Sequence, residues 1–525
     1  MRMEFRQHFG RRELEKLFDD FSLPDDFLFG VANSAYQVEG GFNGPGEPLD
    51  NWVEYENSGR AERSGEAIRF WTDYPEQVGL AAGMGLNAFR MSIEWARVQP
   101  ETSSNARSVP PFDVAAIEAY SDMIAAVMNA GMEPVVTLHH FTHPYWLGID
   151  FWLERGKLDL FRRYVDEVVY RVNSLLVEKH SLRPVNYWVT INEPNVLAFL
   201  FHMLKRFPHH LSGPAETARS WSNMVKAHCR AYDAVHRVYQ ENRWEKPKVA
   251  LNAANLCLYH ADKFAIDLLL ARRNGVKHQD LPAYIARSKA AWDYEIAKCP
   301  VVKKTPRRNL LMEKYLDRWT AKHFSLEQFS EGIDAIYASP LTDKLDYLAI
   351  DYYDPFIRNY PKTPSLKDIR EKRFAPVAQL WEQVLNPVGL YCFLKAYAIN
   401  GQGLPLIVLE NGMAYRARGG RVEARRDGAT RDRFLQSYIY EVLRAVKDGL
   451  PVKGYFHWTM VDNYEWGSWE PRFGLYTIDR SRRPVKLSSV DAWGVNAAKV
   501  YGKLISSLKS GDRDLMVRAF SSDEW

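Results

Sequence analysis

Cysteine is scarce in these 525 residues, with four in all: Cys229, Cys257, Cys299 and Cys392. They lie far apart and form no Cys-x-x-Cys pair, which points to reduced thiols and away from a disulfide or zinc framework. The chain has no Asn-x-Ser/Thr acceptor and no apolar run long enough to span a bilayer. Its first residues, Met1 to His8, are charged and lack the apolar core of a signal peptide, so a cytoplasmic location without a stable membrane span is expected. Charge of one sign is lacking too. A net charge of +4 with no long Lys/Arg block argues against nucleic acid as a partner. No Gly-x-Gly-x-x-Gly opens a helix, which counts against the doubly wound nucleotide-binding sheet that is the alternative fold.

Aromatic residues are abundant, at 13% with 16 Trp and 28 Tyr. Such rings suit stacking on the apolar faces of sugars, although a large aromatic core would use them equally well. Short apolar runs alternate with helical patterns along the chain. Strands are expected at Phe27–Asn33, Leu86–Ser92, Glu133–His139, Asn186–Ile191, Lys248–Asn252, Asp346–Asp351, Pro405–Glu410 and Val452–His457. Their continuous apolar character fits strands buried on both faces of a parallel sheet. Helices are expected over Phe112–Gly131, Leu158–Lys179, Thr217–Gln240, Glu382–Asn400 and Arg433–Gly449. Eight strands alternating with helices predict an α/β fold, a single (β/α)8 TIM barrel with long βα-loop insertions. The expected division is an N-terminal extension (1–22), the barrel (23–508) with an irregular insertion at about 259–344, and a C-terminal tail (509–525). Within the insertion, the basic run Lys303 to Arg308 reads as a solvated loop.

Polar residues recur at the predicted C-terminal ends of these strands, where such a barrel builds its active site. Gln37 follows the first, Arg90 lies on the second, and His139-His140 end the third. Asn192-Glu193 end the fourth, Asp351-Tyr352-Tyr353 the sixth and Glu410-Asn411 the seventh. Trp458 and the stretch Asp462 to Trp466 follow the eighth. Glu193 and Glu410 stand in short contexts, Thr-Ile-Asn-Glu-Pro and Val-Leu-Glu-Asn-Gly. A facing pair of carboxyl groups is the minimal equipment for cleaving a glycosidic bond. His139, His140 and His143 do not suggest a metal cluster, since adjacent strand residues point to opposite sides; no metal or cofactor is expected.

Taken in order, these motifs resemble glycoside hydrolase family 1, the retaining β-glucosidase/β-galactosidase family. The resemblance runs from about Leu23 to Lys503. It includes Phe27 to Ala32, Ala35 to Gly40, Asn87 to Arg90, Ser92 to Trp95, Leu138 to Phe141, both glutamate motifs and Gly454 to Trp458. It implies that Glu410 is the nucleophile, supported by Arg90 and Tyr353, and that Glu193 is the acid/base. It also implies contact with the sugar by Gln37, His140, Asn192, Trp458, Glu465 and Trp466, with Asn192 on the 2-hydroxyl. An anionic Glu465 would suit neutral hydroxyls and repel a 6-phosphate.

Some positions depart from the family pattern. Asp351 stands where Asn is usual, Phe141 for Trp, Leu409 for Thr and His457 for an apolar residue, and the loop Trp466–Arg472 is one residue short. Phe199–His210 is bulky and basic where glycines are usual, which suggests a large, amphiphilic or acidic leaving group or simple packing against the insertion. The expected function is therefore hydrolysis of a β-linked neutral hexoside by an exo-acting retaining β-glycosidase. A transglycosylase acting on an amphiphilic or lipid-linked sugar and a non-catalytic glycan-binding relative are the alternatives.

Overall fold

In the computed structural model, residues 5, 9–101, 109–303, 307–355, 380–480 and 486–521 are described. Nine strands form one parallel ladder: β1 (Leu28–Ala32), β2 (Ala88–Ser92), β3 (Glu133–Thr137), β4 (Tyr187–Val189), β5 (Lys248–Ala250), β6 (Asn252–Ala254), β7 (Leu348–Tyr352), β8 (Leu406–Asn411) and β11 (Val452–Trp458). A hairpin, β9 (Tyr415–Arg418) and β10 (Arg421–Glu423), stands outside this ladder. The apolar runs are buried along their lengths, as strands with helices outside and side chains inside must be.

The fifth expected strand is broken at Leu251. Its first part, β5, pairs with β4, and its second part, β6, pairs with β7. One bent strand thus joins the two ends of the ladder, and the sheet is a nearly closed (β/α)8 barrel.

The expected helices are present as Val114–Asn129, Leu158–Glu178, Pro214–Glu241, Pro387–Ala398 and Arg431–Lys447. The stretch 259–344, expected to be irregular, is largely helical instead, with Phe264–Leu270, Leu281–Lys298, Arg307–His323 and Ser330–Ala338 among its helices. The second of these shows why. Leu281, Tyr284, Ile285, Ser288, Trp292 and Ile296 fall on one stripe and are all buried, so a helix forms once a neighbour covers that stripe. Of the basic run, Lys304 to Pro306 lie outside the described residues.

The two ends of the chain meet. Helix Arg11–Phe18 packs against Arg513–Ser521, with the Phe18 and Phe520 rings 5.3 Å apart. Lys447 donates to the carbonyl oxygens of Leu17 (3.0 Å) and Asp19 (2.7 Å), satisfying the end of the first helix. No helix among the described residues is long and apolar enough to cross a membrane.

Candidate active site

The ten site residues expected from the sequence converge at one end of the barrel. Arg90, on β2, is fully buried and acts as the hub. Its Nη1 donates to Glu410 Oε1 at 2.6 Å, its Nη2 to Asn192 Oδ1, and its Nε to Thr137 Oγ1 at 3.1 Å. Three strands, β2, β3 and β8, and the turn after β4 are tied to a single guanidinium. Tyr353 donates its hydroxyl to Glu410 Oε2 at 2.9 Å, so each oxygen of this carboxylate has a donor. Burial pushes the Glu410 carboxyl above its ordinary range, while the Arg90 charge and the Tyr353 hydrogen bond pull it back.

The backbone presents both glutamates in unusual ways. Glu193 has φ 41°, in the left-handed region, and precedes Pro194 at the first turn of the short helix Pro194–Ala198. A non-glycine residue held there costs about 1–2 kcal/mol, and the turn aims the carboxyl back into the barrel. Glu410 lies where the register shifts against both neighbouring strands, β7 and β11. Such bulges re-aim a side chain at a barrel rim. Gly412, two residues on, is required by packing: any Cβ would collide with the Trp458 carbonyl oxygen.

One carboxyl oxygen from each of Glu193, Asp351 and Glu410 lies within 4.8 Å of the other two. Asp351 Oδ1 is buried without a hydrogen-bond partner, and a Glu193 carboxyl oxygen lies within 4.8 Å of the Asp351 carboxyl. Three acidic groups at this spacing have the geometry to hold a cation, and Arg90 already supplies one. Its Nη1 is 2.6 Å from Glu410 and 4.0 Å from Asp351. Burial first, then the charges of Asp351 and Glu410, push the Glu193 carboxyl well above the usual range.

A second group surrounds Glu465. Gln37 Nε2 and Trp458 Nε1 donate to its Oε2 at 3.2 and 3.1 Å, and His140 stacks on Trp458 at 5.7 Å between centroids. Burial raises Glu465 to about 8. The carboxyl expected from the sequence to be an anion is thus pushed toward its neutral form, since its donors Gln37 and Trp458 carry no charge to hold the ionised form and the nearby Glu410 charge opposes it further. Asn192 Nδ2 is buried without a hydrogen-bond partner, an uncommon state for a donor that costs about 1–3 kcal/mol.

His139 and His140 point to opposite sides. His139 lies edge-on to Trp152 and Phe161, whereas His140 faces Trp458. Tyr352 turns away to Asp354, and Trp95 stacks on Tyr164. Glu39 binds Arg97 and Tyr120, and Glu94 binds Thr142, so both support neighbours outside the pocket.

The departing segment Phe199–His210 divides its bulk. Phe199 packs on Phe324 of the long insertion, at 5.0 Å. Phe207 instead stacks on Trp466 at 4.6 Å and sits 5.2 Å from Trp52, with its carbonyl oxygen held by the Tyr55 hydroxyl at 2.8 Å. Phe141 reaches Trp466 from another side at 4.6 Å. The space left among Gln37, His140, Phe141 and Trp466 is about 20 Å³, room for about one water molecule.

Sequence reasoning missed three participants. Asn252 donates to Asn192 Oδ1 at 2.7 Å and to Asp351 Oδ2, bridging the fourth strand to the seventh. It ended a predicted strand, so the rule that flagged its neighbours applies to it equally. Thr137, inside a strand, carried no such signal, and Phe207 was marked only as one residue of the bulky segment Phe199–His210.

The profile of a family described as Glycosyl hydrolase family 1 matches residues 20–493. The chain is 24% identical over 493 residues to Beta-glucosidase A of Thermotoga maritima, covering 91% of this chain and 98% of the relative. It is 27% identical to a 6-phospho-beta-galactosidase of Streptococcus equi subsp. zooepidemicus, covering 87% and 94%. Among solved structures it is similar to a beta-glycosidase from Pyrococcus horikoshii, with TM-score 0.63, 24% identity and coverage of 96% and 99%.

Proposed function

The chain belongs to glycosyl hydrolase family 1 and is a glycoside hydrolase, and from that premise we propose a retaining, exo-acting β-glycosidase of neutral hexosides. The observation that carries the reading is the set of carboxyl oxygens of Glu193, Glu410 and Asp351 within 4.8 Å of one another, with Glu410 clamped by Arg90 and Tyr353. Retaining enzymes hold their two carboxyl groups at ~5–5.5 Å, and inverting ones leave ~6.5–9.5 Å for a water. The closer spacing supports double displacement.

Glu410, ionised beside Arg90, attacks the anomeric carbon. Glu193, kept protonated by burial and by neighbouring charge, donates its proton to the leaving oxygen. Glu410 is then an ester carbonyl and no longer an anion. With that like charge gone, Glu193 accepts a proton from the water that displaces the sugar. The unpaired Asn192 Nδ2 is a donor free for the sugar 2-hydroxyl. Gln37, His140, Glu465 and Trp466 are assigned to the remaining hydroxyls, and Trp458 to the floor.

Glucose and galactose are the glycones favoured here, and a 6-phosphate is not. The carboxyl at Glu465, neutral or ionised, has only uncharged partners, and nothing at that carboxyl would neutralise a phosphate dianion. A panel of aryl β-glycosides tests the activity, and Glu410→Gly with azide tests the mechanism. Release of aglycone by the wild type and a glycosyl azide of inverted configuration from the variant are expected. No release from any aryl β-hexoside would overturn the reading.

A further inference from the structure

The proposed mechanism uses two carboxyl groups, and the site contains three. Asp351, next to last in β7, is fully buried, with Oδ2 held by Asn252 Nδ2. Arg90 Nη1 stands 4.0 Å from its Oδ1, too far to donate a hydrogen bond. That Oδ1 is buried with no hydrogen-bond partner, and the Glu193 carboxyl stands within 4.8 Å of the Asp351 carboxyl, oxygen to oxygen. Two carboxyl groups can be hydrogen-bonded to each other only if one of them carries a proton. Full ionisation would set three negative charges against the single guanidinium of Arg90 in a buried pocket. Glu410 is already satisfied as an anion by Arg90 and Tyr353, so the proton belongs to the other two.

We infer that Asp351 is a positioning residue that accepts the acid proton of Glu193 in a carboxyl–carboxylate hydrogen bond, so that the pair holds one proton in place of Glu193 alone. This rests on Glu193 being the acid/base. The charged and titratable groups facing the pair are Arg90 from β2, Glu410 from β8, and Tyr347 and Tyr353 from either end of β7. His140 lies 4.0 Å from Glu410, and Glu465 stands beyond it. Asp351 is the largest charged influence on Glu193, ahead of Glu410, and both act in the direction that retains the proton.

Two consequences separate this arrangement from a lone acid/base. An ionised Asp351 holds the proton on Glu193 to higher pH, so the alkaline limb of kcat/KM depends on it. When Glu410 becomes esterified by a substrate whose leaving group takes no proton, one like charge disappears but Asp351 remains, so the pair keeps its proton.

The first test is the kcat/KM pH profile of Asp351→Asn on an aryl β-hexoside that the wild type cleaves. The alkaline limb is expected to move down by at least about one pH unit, the scale of one close like charge. A limb that stays in place or moves up would overturn the inference, even if the overall rate falls, because loss of structure alone scales the profile without shifting it.

The second test needs only the wild type. A 2-deoxy-2-fluoro-β-glycosyl fluoride traps the ester: the C–F bond breaks, fluoride leaves as an anion, and a Glu410 oxygen bonds to the anomeric carbon. That reaction neither consumes nor releases a proton, so protons appearing in solution come from the carboxyl pair. Near pH 6.5, less than about a third of a proton per site is expected, against about one for a single acid whose like-charged neighbour has vanished. Release near one proton would overturn the inference. Absence of turnover on every aryl β-hexoside would instead defeat the glycosidase reading, and this inference with it.

Discussion

Asp351 and Glu410 are direct partners across the ladder between β7 and β8, immediately after a shift in register at Ile350. Without that shift, the alternation along the strand would turn one of the two carboxyl groups out of the barrel. With it, both face the interior, and Arg90 lies against both from β2. The site is therefore organised by one cation among three acids, and its behaviour depends on how the remaining negative charge is shared.

Tyr353→Phe removes the donor to Glu410 Oε2 and leaves the ring in place. A hydrogen bond to a charged group is worth about 1.5–3 kcal/mol, so kcat/KM is expected to fall by roughly 10–150-fold. The lost bond favoured the ionised nucleophile, so the acid limb of the profile should move to higher pH. An unshifted limb would show that Arg90 alone sets this ionisation.

Glu465→Gln tests the neutral acid in the sugar pocket. With a folded-state value of about 8 against an ordinary one near 4.5, the folded protein binds more protons here than the unfolded chain does. The stability this group contributes is present below its unfolded value and is lost as pH rises through about 8. Thermal midpoints measured between about pH 7 and 9 should fall less steeply in the variant than in the wild type. The raised histidine charge cost does not interfere, since His139 and His140 are neutral throughout that window.

Phe207→Ala removes the ring stacked on Trp466 and opens the mouth of the pocket. Stability should fall by about 3 kcal/mol, as for other buried phenylalanines. The ratio of kcat/KM for a bulky over a small aglycone should rise, because the space gained lies beside Trp466. An unchanged ratio would place aglycone selection elsewhere.

Gly412→Ala places a methyl group against the Trp458 carbonyl oxygen. Overpacking of this kind costs about 1–3 kcal/mol and displaces backbone. Since Glu410 is two residues away and Trp458 lines the pocket, turnover should drop by roughly tenfold to a hundredfold. A variant with wild-type turnover would mean that the two strand ends part without moving the carboxyl.

Much of this molecule was legible one segment at a time. The runs ending in Asn192-Glu193 and Glu410-Asn411 are apolar and short, and burial on both faces forces them into a parallel sheet. The (β/α)8 order follows from their alternation with helices, and the placement of polar residues at strand ends followed with it. The insertion was misjudged because helical stability there, even in the 18-residue helix Leu281–Lys298, comes from neighbours that a local pattern does not contain.

The sequence by itself determined which residues stand at the rim of the barrel, because strand period, turn chemistry and apolar burial act over a few residues. It also marked Asp351 and Phe199–His210 as departures without saying what they do. Only the tertiary structure decided that Asp351 comes within 4.8 Å of the Glu193 carboxyl, that Asn252 bridges two strands, and that Phe207 stacks on Trp466. Those contacts join positions from 60 (Asn252 to Asn192) to 259 (Phe207 to Trp466) residues apart. Register shifts, a left-handed turn and the packing of distant loops set them, and none of these leaves a periodic trace in the chain.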